Sequence, residues 1–435
     1  MLETKNENIY QLEGRVPLKI AVPLGVQHLL AMFLGNISPL IIVCGMLQME
    51  TGLKTSLIQN AMFIAGVTTL IQIYPVLKIG SGLPGVMGTS SGFLGSCKAI
   101  GASYGYGAIM GASIFGAIFE MILGYFIKPL KKLFPPIVTS LVVISIGLSL
   151  LPVGIRYFGG GFTKEFGDPK HLIVGTTVIL LVIIFNQFKN RVIRSSAILI
   201  SIVIGYALAI LMGMVDFTAV KEAAWISLPK FMPVKIVFNT HAIIAMLIMY
   251  IATAVETVGD LSGIANGGLD REPTDQELSG GVIADGFGSL IAAFFGVLPN
   301  TTFSQNVGLV AVTKVVNRFV IGTGAIVLVL MGFIPKLSAI FTVMPQSVLG
   351  GAAVVMFAMI FVSGLKSLLR EEIDDRKGLI IAISLGLGVG IGNVPELLGQ
   401  LPAWVGQIFA QNGIIMTFVI ATALNLLLPT KKADK

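Results

Sequence analysis

Charge is what this sequence has least of. Of its 435 residues only 12% are Asp, Glu, Lys or Arg, against 55% hydrophobic, and the mean hydropathy is +0.90. That balance excludes a soluble enzyme and describes a chain that lives in a bilayer. The net charge of +7 would suit a nucleic-acid binder if it were clustered. The topology below instead places most Lys and Arg on one side of the membrane in short loops, so the excess is an orientation signal and no nucleic-acid partner is expected. Cysteine is scarce too: Cys44 and Cys97 lack CxxC spacing and fall in apolar or helix-end positions, so neither a disulfide nor a metal site is expected. No ATP-binding unit is present, which leaves a gradient as the energy source. Met1 to Arg15 is polar and the first apolar run is too long for a signal-peptide core, so no cleavable signal is expected.

What is there is hydrophobic sequence nearly end to end, with room for about fourteen helices of roughly twenty residues. The expected layout is a polar cytoplasmic tail over 1–15, four spans over 16–127, three over 128–214 and an amphipathic connector over 215–235. Four spans over 236–333, three over 334–430 and a short cytoplasmic tail over 431–435 complete it. Seven spans on each side of the connector force the second half to run upside down relative to the first. The two short Gly/Pro-interrupted segments, Gly80–Ser96 and Pro299–Lys314, each sit third in their half. A matched pair of that kind points to a binding site at an inverted-repeat interface. The repeat rests on hydropathy, because no residue-level self-similarity is evident.

The stretch beginning Pro299-Asn-Thr-Thr-Phe-Ser-Gln-Asn carries five polar side chains in six positions: Thr301, Thr302, Ser304, Gln305 and Asn306. Such a run is tolerated at membrane depth only when buried in protein or lining a cavity. Pro299 ends the preceding helix and Thr302 or Ser304 can cap a short new one, aiming free N–H groups and a positive dipole end toward Gln305.

Gln305-Asn306-Val307-Gly308, closing on Thr313-Lys314, resembles the signature of the nucleobase–ascorbate transporter family, Q/E-N-x-G-x-x-x-x-T-R/K/G. The resemblance implies an all-α integral membrane fold of fourteen spans, with a core domain (spans 1–4 and 8–11) moving against a gate domain (5–7 and 12–14). It also implies a homodimer packed through the gate. Gln at position 305 resembles the branch that carries oxidised purines, xanthine or uric acid, whereas Glu there resembles the uracil branch.

Within the spans, Glu256 in Val-Glu-Thr-Val-Gly-Asp260 is the leading candidate ligand. A charge near the bilayer centre costs at least roughly 2.5–3.5 kcal/mol on insertion scales, so it should face a cavity or a partner. Asp260, four residues on, shares its helix face, and two desolvated carboxylates this close make one a candidate to hold a proton. The family's matching acid hydrogen-bonds ring N–H groups of the base, which by resemblance falls to Glu256. The planar amide of Gln305 offers one acceptor and two donors to a ring with carbonyls and N–H groups. Asp260 and Asp285 are the expected proton-handling acids, although Asp285 equally suits a structural hydrogen-bonding role. Uracil-type members place a histidine where this chain has Asp260, which leaves the proton route open.

Gln27-His28 matches a pair common in the family, and His28 is expected to tie the first span to the eighth or tenth. Asn306 would brace the turn or a neighbouring carboxylate. Ser90, Ser91 and Phe93 are expected at the pocket, Phe93 stacking on the base. Thr313 and Lys314 belong to access or selectivity. Two soluble-protein patterns here are decoys: Gly80–Gly85 matches GxGxxG without a βαβ unit, and Gly88–Gly92 matches GxSxG without strand–turn–helix context or a downstream triad order.

The expectation is uptake of an oxidised purine across the cytoplasmic membrane with a proton, sodium not being excluded, with no cofactor and both termini cytoplasmic. The alternatives are a uracil or other nucleobase permease and, behind it, an anion exchanger of the same architecture. A hydrolase built on Ser90 would need a nearby base.

Overall fold

A computed structural model describes residues 7–130, 135–190, 193–194, 196–401, 409 and 413–429. Residues 1–6 and the expected tail at 431–435 lie outside the described residues. The chain runs α1 (Leu18–Met46), α2 (Thr51–Ile73), β1 (Met87–Thr89), α3 (Leu94–Tyr104), α4 (Tyr106–Tyr125), α5 (Pro136–Phe158), α6 (Pro169–Asn186) and α7 (Ala197–Leu211). The second half runs α8 (Thr240–Leu269), α9 (Asp275–Phe294), β2 (Asn300–Thr302), α10 (Ser304–Thr313), α11 (Arg318–Met331), α12 (Pro335–Thr342), α13 (Gln346–Leu368), α14 (Asp375–Asn393) and α15 (Gly413–Leu427). Eight of the described helices are long and apolar enough to cross a bilayer, or nine if α11 and α12, bent by 83° at their junction, count as one.

Proline and short polar side chains set many of these boundaries. Pro136 and Pro169 open α5 and α6 at positions where no N–H is needed. Asn239 caps α8, and Thr274 with Glu277 forms a capping box at α9. Pro335 breaks α11 from α12, and Pro345 holds the start of α13 to Gln346. The Gly/Pro-rich stretch from Gly80 to Gly92 holds no helix. The helix of that segment therefore lies at Leu94–Tyr104, past most of the expected range.

The packing repeats itself on going from one half to the other. α4 packs on α9, and its images α11 on α2; α4 packs on α8, and α11 on α1; α6 packs on α7, and α14 on α15. α5 and α13 face each other across the relation, as do β1 and β2. This is the seven-plus-seven inverted repeat. Helices α1–α4 pack mainly with α8–α11, and α5–α7 with α13–α15.

At the centre β1 and β2 pair antiparallel, with Met87 opposite Thr302, Gly88 opposite Thr301 and Thr89 opposite Asn300. The ladder extends through Phe303 N–H to Val86 C=O (2.9 Å) and Ser90 N–H to Pro299 C=O (2.8 Å). Two strands leave outer edges that lipid cannot satisfy, so neighbouring helices supply partners. The Thr69 hydroxyl of α2 accepts from Met87 N–H (2.9 Å) and donates to its C=O (3.3 Å). The Ser289 hydroxyl of α9 does both for Asn300, each at 2.9 Å. Asn36 Oδ1 of α1 accepts from Thr89 N–H at 2.8 Å.

The polar tail expected over 1–15 is, in its described part, bound to the loop before α11. Ile9 and Leu12 carbonyls accept from Val316 and Arg318 N–H (3.0 Å each), and the Asn317 amide nitrogen reaches the carbonyls of Asn8, Gln11, Glu13 and Gly14 at 2.9–3.3 Å. Asn317 does two jobs that polar sequence alone does not reveal: its side-chain oxygen caps α11 through Phe319 and Val320 N–H, while its amide nitrogen holds the N-terminal carbonyls.

Candidate functional site

Where the two strand–helix segments cross, a cavity of about 30 Å³ opens, room for about two waters. Ser90, Ser91 and Gly92 enter from the turn before α3. Thr301 to Gln305 enter from β2 and α10, and Glu256 from α8. Ile146 of α5 and Ile360 of α13, images of each other's helices, form the apolar wall. Of the residues expected here, Ser90, Ser91, Glu256 and Gln305 line the space. Glu256 Oε2 is buried without a hydrogen-bond partner, and the Gln305 side chain makes no hydrogen bond among the described residues. An orphaned buried carboxylate oxygen costs too much to be left idle. Together the two groups present one negative acceptor and one mixed donor–acceptor plane to the same space.

Asp260, one turn beyond Glu256, accepts from Ser304 Oγ at 2.8 Å, which fixes the first turn of α10 against α8. Asp285 is enclosed by donors. Thr301 Oγ1 (2.9 Å), Thr302 Oγ1 (3.1 Å), Thr302 N–H (3.3 Å) and Thr257 Oγ1 all reach its carboxylate. Gln72 of α2 donates in turn to Thr302 Oγ1 at 3.1 Å while its own carbonyl accepts from Ser81 N–H. Asp285 therefore anchors β2 from behind and does not line the cavity.

One expected pocket role is placed differently. Phe93 is fully buried against Tyr250, ring centroids 4.6 Å apart, and does not line the cavity; its position at the head of α3 turns the ring inward toward α8. The aromatic ring at the cavity is Phe303, seated against Gly35 and Gly88, where an added Cβ would come within 2.5 and 2.8 Å of the ring. Asn306 faces α1: its Nδ2 lies 3.0 Å from His28 C=O and 3.3 Å from His28 Nδ1. So Asn306 and His28 pin α10 to α1 and neither reaches the cavity. Gln27 is buried beside His28 in α1. Thr313 bonds back to Leu309 C=O (2.8 Å), and Lys314, in the left-handed cap of α10, pairs with Asp270, the left-handed cap of α8, at 2.8 Å. Both lie at the helix ends, away from the cavity.

One acid escaped the sequence reading. Glu120, in the apolar run of α4, is buried, with Thr253 Oγ1 at 3.2 Å from Oε1 and, among the described residues, no hydrogen-bond partner on Oε2. An acid inside an otherwise uncharged span was the signal that could have found it.

A polar cavity at the crossing of two short strand–helix segments in an inverted repeat is the architecture of a secondary transporter. Residues 19–397 match the model of the permease family that contains xanthine and uric acid permeases. The chain belongs to this family, the nucleobase–ascorbate transporters, and is a permease, not an enzyme. It is 36% identical to the uric acid permease PucK of Bacillus subtilis over 416 residues, covering 94% of this chain and 96% of that protein. It is 34% identical to the xanthine permease XanQ of Escherichia coli K12 over 439 residues, covering 97% and 94%. Among solved structures, the transmembrane domain of the cyanobacterial bicarbonate transporter BicA superposes with a TM-score of 0.57 at 14% identity, over 96% of this chain and all of that one. That likeness concerns the fold alone.

Proposed function

We propose that the protein takes up an oxidised purine base, xanthine or uric acid, across the cytoplasmic membrane together with a proton. The observation that carries the reading is the pairing of Glu256, with its orphaned buried oxygen, and Gln305 at one cavity. A carboxylate oxygen without a donor suits ring N–H groups, and the free amide plane suits ring carbonyls. Both purines offer these groups side by side on a flat ring. The relatives named for xanthine and uric acid support the same cargo.

The cavity of about 30 Å³ is too small for a fused ring, so the base enters only as the two helix groups part. We infer that α1–α4 with α8–α11 form a core moving against a gate of α5–α7 with α13–α15, and that Ile146 and Ile360 are the gate's contribution to the closed site. A proton on one of the site's acids would offset part of its negative charge before the core reorients in the membrane. The bicarbonate carrier's fold invites an anion-exchange reading, but no cation lines the cavity among the described residues, and urate would enter it only with a proton on one of the site's acids. Two cytoplasmic termini and a homodimer packed through the gate complete the reading.

The test is uptake of radiolabelled xanthine, urate and uracil in cells lacking their own permeases, with and without a protonophore. Purine uptake that collapses with the protonophore is the expected result. Uptake that survives it and needs sodium would replace the coupling ion, and uptake of uracil alone would replace the cargo.

A further inference from the structure

We propose that Glu120 is a proton-storage site of the membrane-embedded core: a carboxylic acid held neutral at the seam of α4, α8 and α9, so that the neighbouring negative charge resides on Asp285. The inference concerns a residue away from the purine cavity and does not depend on which base is carried.

The placement begins with spacing. Gly116, Glu120 and Gly124 recur every four residues and share one face of α4. Gly116 lies under the Tyr250 ring of α8, where an added Cβ would come within 2.1 Å, and Gly124 lies against Ile283 and Ser279 of α9. Opposite, Gly286 of α9 packs onto the α4 backbone at Ala117 and Met121. These glycines bring three helices to close approach, as small residues do in membranes, and Glu120 is the charged type caught between them. It is 1% exposed.

The hydrogen-bond accounting then decides its protonation. Among the described residues, the one side-chain hydrogen bond to Glu120 is from Thr253 Oγ1, 3.2 Å from Oε1. That hydroxyl has a single proton and two helix carbonyls within reach, Tyr250 at 3.2 Å and Met249 at 3.3 Å. A hydroxyl in a membrane helix that donates back to its own helix is left with a lone pair, which can only accept. A protonated Glu120 donates into that lone pair and completes the chain; an ionised one would have no donor on Oε1 in that arrangement and none on Oε2. Asp285 is the contrast, with four donors on its carboxylate. Among the described residues, the other ionisable groups around Glu120 are acids or neutral at rest: Asp285 from α9, Tyr250 and Glu256 from α8, with Asp260 a turn further and Cys97 of α3 beside Tyr250. Glu120 makes no ion pair among the described residues. Several carboxylates in one water-poor core, with no cation beside them among the described residues, cannot all ionise; of the acids that do not line the cavity, Glu120 has the poorest donor set and keeps its proton.

The experiment is infrared spectroscopy of the purified full chain in lipid nanodiscs, without substrate. Wild type should show the C=O stretch of a buried protonated carboxyl, slow to shift in deuterium oxide. Glu120→Gln should lose that band while remaining monodisperse, and Asp285→Asn should retain it. Thr253→Val, which removes the hydroxyl acceptor, should move its frequency and leave its intensity. In cells, Glu120→Gln should keep uptake within about twofold of wild type near neutral pH, because the amide stands in for the neutral acid. A band unchanged by Glu120→Gln would overturn the proposal. So would a well-folded Glu120→Gln that has lost uptake, since that would make Glu120 a working charge. If no base is transported by any variant, the infrared arm still decides the protonation while the purine reading alone falls.

Discussion

Thr69 in the first half and Ser289 in the second hold their strands by the same two bonds to the first strand residue, yet the segments they hold differ chemically. β1 with its following turn presents backbone and small hydroxyls, Ser90 and Ser91. β2 with α10 presents Gln305 and Ser304 beside Glu256, with Asp260 and Asp285 behind. Three of the four acids of this region lie on α8 and α9, and the first half contributes Glu120 alone. A repeated scaffold fixes the crossing, and one copy has been given the recognition chemistry. The bilayer explains the division. The edges of both strands must be satisfied in either half, whereas each buried charge carries a cost that one copy of the site can confine.

Removing the chemistry from the second half should therefore have the largest effect. Glu256→Gln replaces a charged acceptor with a neutral amide. Each hydrogen bond to a charged group contributes about 1.5–3 kcal/mol, so base affinity should fall about 10- to 150-fold, read by competition of unlabelled xanthine in an uptake assay. Unchanged affinity would remove Glu256 from the site. Asp285→Asn comes next. The amide keeps one acceptor oxygen for four donors, and each buried donor left without an acceptor costs about 1–3 kcal/mol. The measurement is thermal unfolding in detergent, with a clear loss of stability and of uptake together. Loss of uptake at full stability would instead assign Asp285 a direct part in proton movement.

Gln305→Glu tests the cargo more finely. It exchanges an amide donor for an acceptor at the same place, so the preference between xanthine and uracil should move by about tenfold or more, the effect of one buried hydrogen bond gained or lost. Side-by-side inhibition constants for the two bases measure it, and an unmoved ratio would separate Gln305 from selectivity. The scaffold itself is tested by a matched pair. Thr69→Val and Ser289→Ala each strand one N–H and one C=O of a buried strand, at about 1–3 kcal/mol per group. The two should lower the melting temperature to a similar degree; a large difference would mean that the halves share geometry but not energetics.

Much of this was legible in the sequence. Five polar side chains in six positions after Pro299 could not face lipid, and a lone Glu with Asp four residues on had to face inward; Glu256, Gln305, Ser90 and Ser91 do meet at one cavity. The strands themselves left no readable period, because three residues are too short for an alternation; only their glycines and prolines showed. Phe93 was misread because composition says that a ring is near the pocket without saying which way the turn points it. His28 was expected to tie the first span to the eighth or tenth and does tie it to the tenth, but its partner there, Asn306, lies 278 positions away, which no local pattern specifies. Glu120 was passed over inside a run read only for its hydropathy.

The smallest expected effect lies at the end of the same second-half segment. Lys314 closes the family signature, and the structure places it at the C-terminal cap of α10, half-exposed, its ammonium on Asp270. A cation there also meets the carbonyl end of the helix, worth about 0.3–1 kcal/mol at an exposed site, and an exposed ion pair adds about 0–1 kcal/mol. Lys314→Ala should therefore change unfolding by little and should do so less in high salt, which screens both terms. Because Lys314 stands away from Glu256 and Gln305, its loss should leave the xanthine-to-uracil ratio unmoved while Gln305→Glu shifts it. A changed ratio in Lys314→Ala would mean that the helix end, and not only the cavity, discriminates among bases, and the separation of recognition from scaffold within this half would have to be redrawn.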